Sequence, residues 1–576
     1  MFLPTTKEEA SLLGWQSLDI IIVTGDAYID SPFIGTAVIG NYLVSHGFKV
    51  GIISQPDINT PADIRQLGEP ALFWGVTAGA IDSMVSNYTP TKKYRKQDDL
   101  TPGGINIRRP DRASIAYTNL IRKHFKTTRP IVLGGIEASL RRIAHYDFWN
   151  DKIRRSVLFD AKADAIIYGM GEKAALELAT KLQAAGDTVN TPEKTGTNAP
   201  LGALLSSIRG ICYIAAEIPP HYIELPSFEK ASTDKNEFTE SFRAFYHNTD
   251  PLTARGLCQK HGDRYLVQNP PQPHLTTAEL DEIYDLPYTR AHHPAYKNRG
   301  KVTALETINF SVTTHRGCYG ECNFCAIAVH QGRTVTSRSE QSIIKEVQGI
   351  TQLPGFTGYI SDVGGPTANM YGIECEKKIT IGDCGDKRCL FPAPCRMMPI
   401  DHRKQLNLLK KLRGIPGVKK VFVGSGIRYD MVLEDEKSGQ EYVDAIVEHH
   451  VSGQMKIAPE HIVEPVLQAM GKPNTVPLKK FIALFKNANE RFNKRQFMTY
   501  YFIAAHPGCT MNDMQRLKEF AQRELKMQPE QIQIFTPTPS TWSTVMYWTG
   551  VNPFTRQPVF VEKNPFRKEQ QKTALK

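Results

Sequence analysis

A chain of 576 residues has room for two or three domains with substantial cores, and 41% hydrophobic against 22% charged residues excludes a disordered or membrane-embedded composition. Lysine and arginine outnumber acids by 70 to 59, a formal charge of +11, which admits a polyanionic partner such as RNA without requiring one. The apolar runs are too short to cross a bilayer, and Met1-Phe-Leu-Pro-Thr-Thr-Lys-Glu-Glu9 carries acids where a secretory signal is apolar, so the expectation is a cytoplasmic protein with no membrane partner.

The first section alternates strand and helix signals. Asp19–Thr24 is an apolar strand run, Gly35–Val44 has helical apolar spacing, and Phe48–Ile53 is a second strand, with more at Ala71–Trp74, Pro130–Leu133 and Ala163–Tyr168. This pattern predicts an N-terminal Rossmann-like, doubly wound α/β domain over 1–185, with its ligand crevice beyond the strand C-termini. Gly25-Asp26, Gly134-Gly135-Ile136-Glu137 and Gly169-Met-Gly171-Glu172 stand at those ends. The composition of 186–200 is that of a linker, and 186–300 is expected as linker and mixed insertion, with Phe238, Phe242 and Phe245 on one helical face as core.

Alternation resumes over 301–560. Strands are expected at Thr307–Val312, Thr357–Asp362, Val418–Gly424, Gln454–Ile457, Met498–Ile503 and Gln531–Phe535, with helices between them. Six such steps suit a partial (β/α)6 TIM-like barrel whose loops after the strands build the active site. A Cys-rich excursion spans 370–400, and 561–576 reads as a charged tail.

Seven of the ten cysteines lie between Cys318 and Cys395, a clustering that points to metal rather than to disulfides in a reducing compartment. Cys318-Tyr-Gly-Glu-Cys322-Asn-Phe-Cys325 follows the first barrel strand. Four thiolates saturate a zinc ion or a four-iron cluster, whereas three on one loop leave one iron of a cubane open to a substrate. A zinc knuckle with a distant fourth ligand, or a plain electron-transfer cluster, is the alternative. Cys375, Cys384, Cys389 and Cys395 form a second set, suited to a second iron–sulfur cluster or to zinc.

The cysteine spacing, Phe324 before the last cysteine and the preceding Thr314-His-Arg-Gly317 resemble the cluster loop of radical S-adenosylmethionine (SAM) enzymes. Longer stretches are similar to the YgiQ-like family of radical SAM proteins over most of residues 14–560, among them Leu133-Gly-Gly-Ile-Glu-Ala-Ser-Leu-Arg-Arg142, Gly364-Gly-Pro-Thr-Ala-Asn-Met-Tyr371, Ser425-Gly-Ile-Arg-Tyr-Asp430 and Lys456-Ile-Ala-Pro-Glu-His461. The resemblance implies a [4Fe-4S] cluster on Cys318, Cys322 and Cys325, with SAM chelated by the open iron and cleaved reductively so that hydrogen is abstracted from an unidentified substrate. It places Phe324, Gly364, Gly365, Ser425 and Arg428 at SAM. The two glycines would hold the methionine amino group, although Pro366 replaces the usual acid after them, while Arg428 suits the carboxylate and Ser425 the ribose. Lys456, Glu460, His461 and His506 follow later strands and are candidates to face substrate; no catalytic residue is assigned.

An electron donor such as a flavodoxin or ferredoxin is implied. The N-terminal domain is similar to cobalamin-binding domains, but Asp30-Ser-Pro-Phe-Ile-Gly35 lacks the histidine of their Asp-x-His-x-x-Gly loop, which argues against cobalamin. Two alternatives remain: an iron–sulfur redox or sensor protein that never cleaves SAM, and a radical SAM enzyme that modifies RNA.

Overall fold

The computed structural model describes residues 1–186 and 199–576, which divide into two compact units. The first is Met1–Pro273 with Leu286–Asn309, and the second is His274–Asp285 with Phe310–Lys576. Of the linker expected over 186–200, residues 187–198 lie outside the description.

In the first unit, β1 (Ile20–Thr24) is buried at every position, as a strand covered on both faces must be. It pairs in parallel with β2 (Val50–Ser54) and β3 (Phe73–Thr77), and the sheet continues in parallel to β4 (Ile131–Gly134) and β5 (Ala165–Ile167). Helices α1 (Gly35–Ser45), α2 (Ala113–His124) and α3 (Glu172–Ala185) connect and cover these strands. The order β2-β1-β3-β4-β5 reverses between β1 and β3, the point at which open α/β sheets form a ligand crevice.

The segment expected as linker and insertion instead enlarges this sheet. β6 (Ile211–Ala215), β7 (Ile223–Leu225), β8 (Leu257–His261) and β9 (Arg264–Gln268) complete nine strands in the order β7-β8-β9-β6-β5-β4-β3-β1-β2. Buried glutamines hide the strand period here. Gln259 accepts from the Ala144 N–H at 2.7 Å and donates to the Pro226 carbonyl at 3.0 Å, while Gln268 accepts from Arg142 Nε at 2.9 Å. A polar side chain so satisfied can occupy a core position.

The second unit holds β10 (Ser311–Thr313), β11 (Tyr359–Ile360), β12 (Asp362–Gly364), β13 (Lys420–Val421), β14 (Gln454–Glu460), β15 (Phe497–Ala504) and β16 (Gln531–Ile534). β10 pairs with β12, β11 with β13, and β14 with β15 and then β16, all in parallel; a parallel bridge from Ile427 to Ile457 joins the series. Helices α4 (Glu340–Ile350), α5 (Arg403–Arg413), α6 (Val476–Arg491) and α7 (Met511–Phe520) alternate with these strands, giving the incomplete (β/α) barrel. Ser339 caps α4, and Thr510 with Asp513 forms a capping box on α7.

Two expectations need correction. The first barrel strand begins later than Thr307, because Ala304–Ile308 is a helical turn. The tail is α8 (Pro565–Ala574), started by Asn564 as N-cap with proline next, and it is docked. Leu575 is 1% exposed within the barrel's core, and the buried Gln571 side chain accepts from the Ala505 N–H at 2.9 Å and donates to the Cys509 carbonyl at 3.2 Å. Its charge count concealed one buried face.

Candidate active site

The cysteine loop is held at both ends by backbone hydrogen bonds. Thr314 N–H donates to the Gly364 carbonyl at 2.7 Å, and His315–Arg316 pairs antiparallel with Thr336–Ser337. Gly317 has φ +82°, and a Cβ there would lie 2.0 Å from the Thr334 carbonyl oxygen, so only glycine fits. Asn323, which no motif singles out, clamps the centre: its N–H donates to the Met470 carbonyl and its amide to that of Ala469, at 2.9 and 2.8 Å. Phe324 packs on the barrel core and meets His506 edge-on at 6.2 Å.

Burial pushes the Cys325 thiol up to about 12 and raises that of Cys318 as well, so a free thiolate is disfavoured here. Counter-charge is present. Arg428 directs Nη1 to the Cys322 sulfur at 3.9 Å, and the Gly320 N–H lies 3.3 Å from the Cys318 sulfur. A Cβ on Gly320 would stand 3.2 Å from the Cys318 sulfur, 3.3 Å from Arg428 Nη1 and 3.7 Å from the Cys322 sulfur. Two thiols and a guanidinium therefore face one space that glycine leaves open, a donor set suited to an anionic thiolate cluster. Among the described residues no three His, Cys, Asp or Glu side chains form a site for a metal ion, the triplet included.

Arg428 is engaged differently from the expectation. Burial works against its charge, yet Asp430 and the neighbouring thiols hold its pKa above the usual value. Its Nε donates to Asp430 at 2.8 Å and Nη2 donates to the other carboxylate oxygen, so the fork expected for a methionine carboxylate is already filled. The Arg428 backbone is fixed by Asn369, which accepts its N–H at 2.8 Å. Asn369 in turn contacts His402 at 3.1 Å, whose other ring nitrogen meets Asp435 at 2.7 Å. None of these three supports is marked in the sequence except by Asn369 lying within the Gly-Gly-Pro-Thr-Ala-Asn stretch.

Gly364 and Gly365 each have a protein neighbour. A Cβ at Gly365 would be 2.6 Å from the His315 ring, and one at Gly364 would be 3.3 Å from Ser425. His315 is fully buried and its pKa is lowered to about 4 by burial, so it is neutral beside the loop. Asp362, at the start of β12, accepts from the Gly424 N–H at 2.7 Å, from the Ser425 N–H at 3.1 Å and from the Ser425 hydroxyl.

Asp362, Ser425, Lys456, Glu460 and Tyr501 border a cavity of about 560 Å³ lined largely by residues of β12, β14, β15 and β16. Glu460 adopts φ +67° at the bulge that breaks the pairing of β14 with β15, a costly backbone for a residue with a side chain. Burial raises its pKa while Lys472 and Arg428 oppose the rise. Lys456 also lines this cavity, whereas the two histidines do not. His461 is buried, accepts from the Val463 N–H at 3.0 Å and faces Cys509 at 3.6 Å; His506 is buried between the Pro507 carbonyl at 2.8 Å and the Ser543 hydroxyl at 2.7 Å. Both are satisfied structural residues.

In the first unit the crevice at the sheet reversal is filled by protein. Asp26 pairs with Arg109 at 2.6 Å, and Arg109 with Asp98 at 2.9 Å, all buried. A Cβ on Gly79 would lie 2.1 Å from the Asp26 carboxylate, and one on Gly25 would lie 2.2 Å from the Ala78 carbonyl oxygen. These residues do not fit a large cofactor such as cobalamin. Three of the four densest basic clusters are likewise engaged: Arg108 with Asp63, Arg109 as above, Arg141 with Asp82, Arg142 between the Tyr168 and Phe245 rings, and Arg154 and Arg155 with Asp160. Lys92, Lys93, Arg95 and Lys96 are exposed.

Residues 2–311 match the family model described as Radical SAM N-terminal. A UPF0313 protein of Fusobacterium nucleatum is 54% identical over 99% of this chain and 98% of its own length. One of Methanocella arvoryzae is 48% identical over 97% and 90%, and one of Thermotoga maritima 49% over 98% and 96%. Among solved structures, the radical SAM methyltransferase TsrM of Kitasatospora setae, with cobalamin and a [4Fe-4S] cluster bound, gives a TM-score of 0.49 at 14% identity, covering 91% of this chain and 74% of that one. The cobalamin-dependent radical SAM enzyme OxsB gives 0.48 at 13%, covering 93% and 56%. No helix among the described residues is long and apolar enough to cross a membrane.

Proposed function

The chain belongs to the UPF0313 family of radical SAM enzymes, and from that premise we propose that Cys318, Cys322 and Cys325 hold its [4Fe-4S] cluster, that SAM enters the cavity bordered by Ser425 and Glu460, and that the reaction begins by hydrogen abstraction from a substrate. The observation that carries this is the space at Gly320, where two thiols and the Arg428 guanidinium converge within contact of one missing Cβ. A [4Fe-4S] cluster held by Cys318, Cys322 and Cys325 would supply the electron for reductive cleavage of SAM.

The chain's own residues bind, orient and exclude water. Arg428, locked on Asp430, offsets the negative charge of the thiolates. Asp362 accepts a hydrogen bond from the Ser425 hydroxyl, which leaves that oxygen's lone pairs as acceptors for a ribose. Glu460 and Lys456 supply opposite charges on its wall, suited to the amino and carboxylate groups that Arg428 cannot serve. Burial of the loop keeps water from a reactive intermediate. A flavodoxin or ferredoxin is the electron donor in this reading. RNA as substrate has the exposed Lys92–Lys96 cluster in its favour.

Anaerobic reconstitution tests the reading. The protein should show a reducible cluster whose EPR signal changes on adding SAM, and with dithionite it should release 5′-deoxyadenosine. Cys322→Ser should abolish both responses, and a SAM-responsive cluster in that variant would defeat the ligand assignment.

A further inference from the structure

The excursion 371–402 contains one short helix, Glu376–Thr380, and is otherwise built of turns and bends. Its core is small. Ile373, Cys389, Leu390 and Met398 bury themselves with Tyr319 and Met370, and Cys375 and Cys395 pack against that group. A lobe with so few apolar side chains and no strand ladder is not held by burial alone; lobes of this kind are stapled by disulfides or by metal. All four of its thiols are free.

A buried ammonium stands in this lobe, 5.6 Å from the centre of the Tyr319 ring. Lys378 is 2% exposed, donates to the Arg333 carbonyl at 2.9 Å and pairs with Asp383 at 2.7 Å. The lobe is also tied to the loop of the first cysteine set: the Cys375 N–H donates to the Tyr319 hydroxyl at 3.2 Å, and Cys318 packs against the same apolar group.

We propose that Cys375, Cys384, Cys389 and Cys395 bind a second, all-thiolate metal centre, either zinc or an iron–sulfur cluster, which closes the excursion over Tyr319. The four donors do not converge on one ion here, so binding would have to draw them together. This site goes beyond the SAM reading and does not depend on it.

The test uses the full-length chain with Cys318→Ala, Cys322→Ala and Cys325→Ala together, purified without oxygen and assayed for zinc, iron and acid-labile sulfide. About one zinc, or about four irons with sulfide, should remain per chain, and the two results identify the metal. Adding Cys375→Ser and Cys389→Ser should remove it and lower the unfolding midpoint. A folded triple variant without metal overturns the proposal. If the triple variant fails to fold, reconstituted wild type decides: metal beyond about four irons per chain supports the site, and four irons alone overturns it. Metal in the triple variant together with a SAM-silent wild type would defeat the SAM reading alone.

Discussion

Arg428 sets the charge beside the cysteine loop, and its geometry yields a redox prediction. Replacing it alone would leave Asp430 buried without a partner, at a cost of about 3–5 kcal/mol. The double variant Arg428→Gln/Asp430→Asn removes both charges and should fold. The cation 3.9 Å from the Cys322 sulfur is lost, so a cluster bound there should become harder to reduce, and a redox titration followed by EPR should show a more negative potential. An unchanged potential would mean that Arg428 only packs. His461 supports a pH prediction. Burial lowers its pKa to about 4 from an ordinary 6.5, so between those values the unfolded chain binds more protons than the folded one. Stability from this group is complete above pH 6.5 and falls as pH drops towards 4, by on the order of 3 kcal/mol. His461→Gln should flatten that part of the pH dependence of the denaturation midpoint, and an unaltered slope would assign the acid sensitivity elsewhere.

The C-terminal helix shows how one face can decide a segment's fate. Ten residues of Pro-Phe-Arg-Lys-Glu-Gln-Gln-Lys-Thr-Ala look solvated, yet Lys568 donates to the Tyr547 hydroxyl at 2.9 Å and Gln571 bridges Ala505 and Cys509. Leu575, just beyond, inserts into the barrel core. Leu575→Ala should therefore destabilise the second unit by about 2–5 kcal/mol, the range for emptying a buried leucine site. A shift in the urea midpoint at unchanged slope would register it; a midpoint within error of wild type would show that the helix is not docked in solution.

Across the whole chain, the first unit has the strand order of a cofactor-binding sheet but fills its crevice with Asp26, Arg109 and Asp98. Purified protein titrated with hydroxocobalamin should show no saturable spectral change, and the unfolding midpoint should be unmoved by the corrin. Stoichiometric binding would require the buried triad to open. The unit's charge follows the same logic, since its dense arginine clusters bind the chain's own acids and rings.

Much of the architecture was legible because it rests on local regularities. Apolar runs as continuous as Ile20–Val23 have few alternatives to a buried parallel strand, and three cysteines within eight residues bring their sulfurs to one loop whatever surrounds them. Segments whose stability comes from distant partners were not legible. β8 and β9 read as irregular because Gln259 and Gln268 are satisfied by Ala144, Pro226 and Arg142, far away in sequence. The roles of Arg428, His461 and His506 turned on the same point: composition names a fork or an imidazole, but only the fold reveals that Asp430, Cys509 or Ser543 already holds it. A side chain's chemistry is local, whereas whether that chemistry is still free for a ligand depends on neighbours that only tertiary packing supplies.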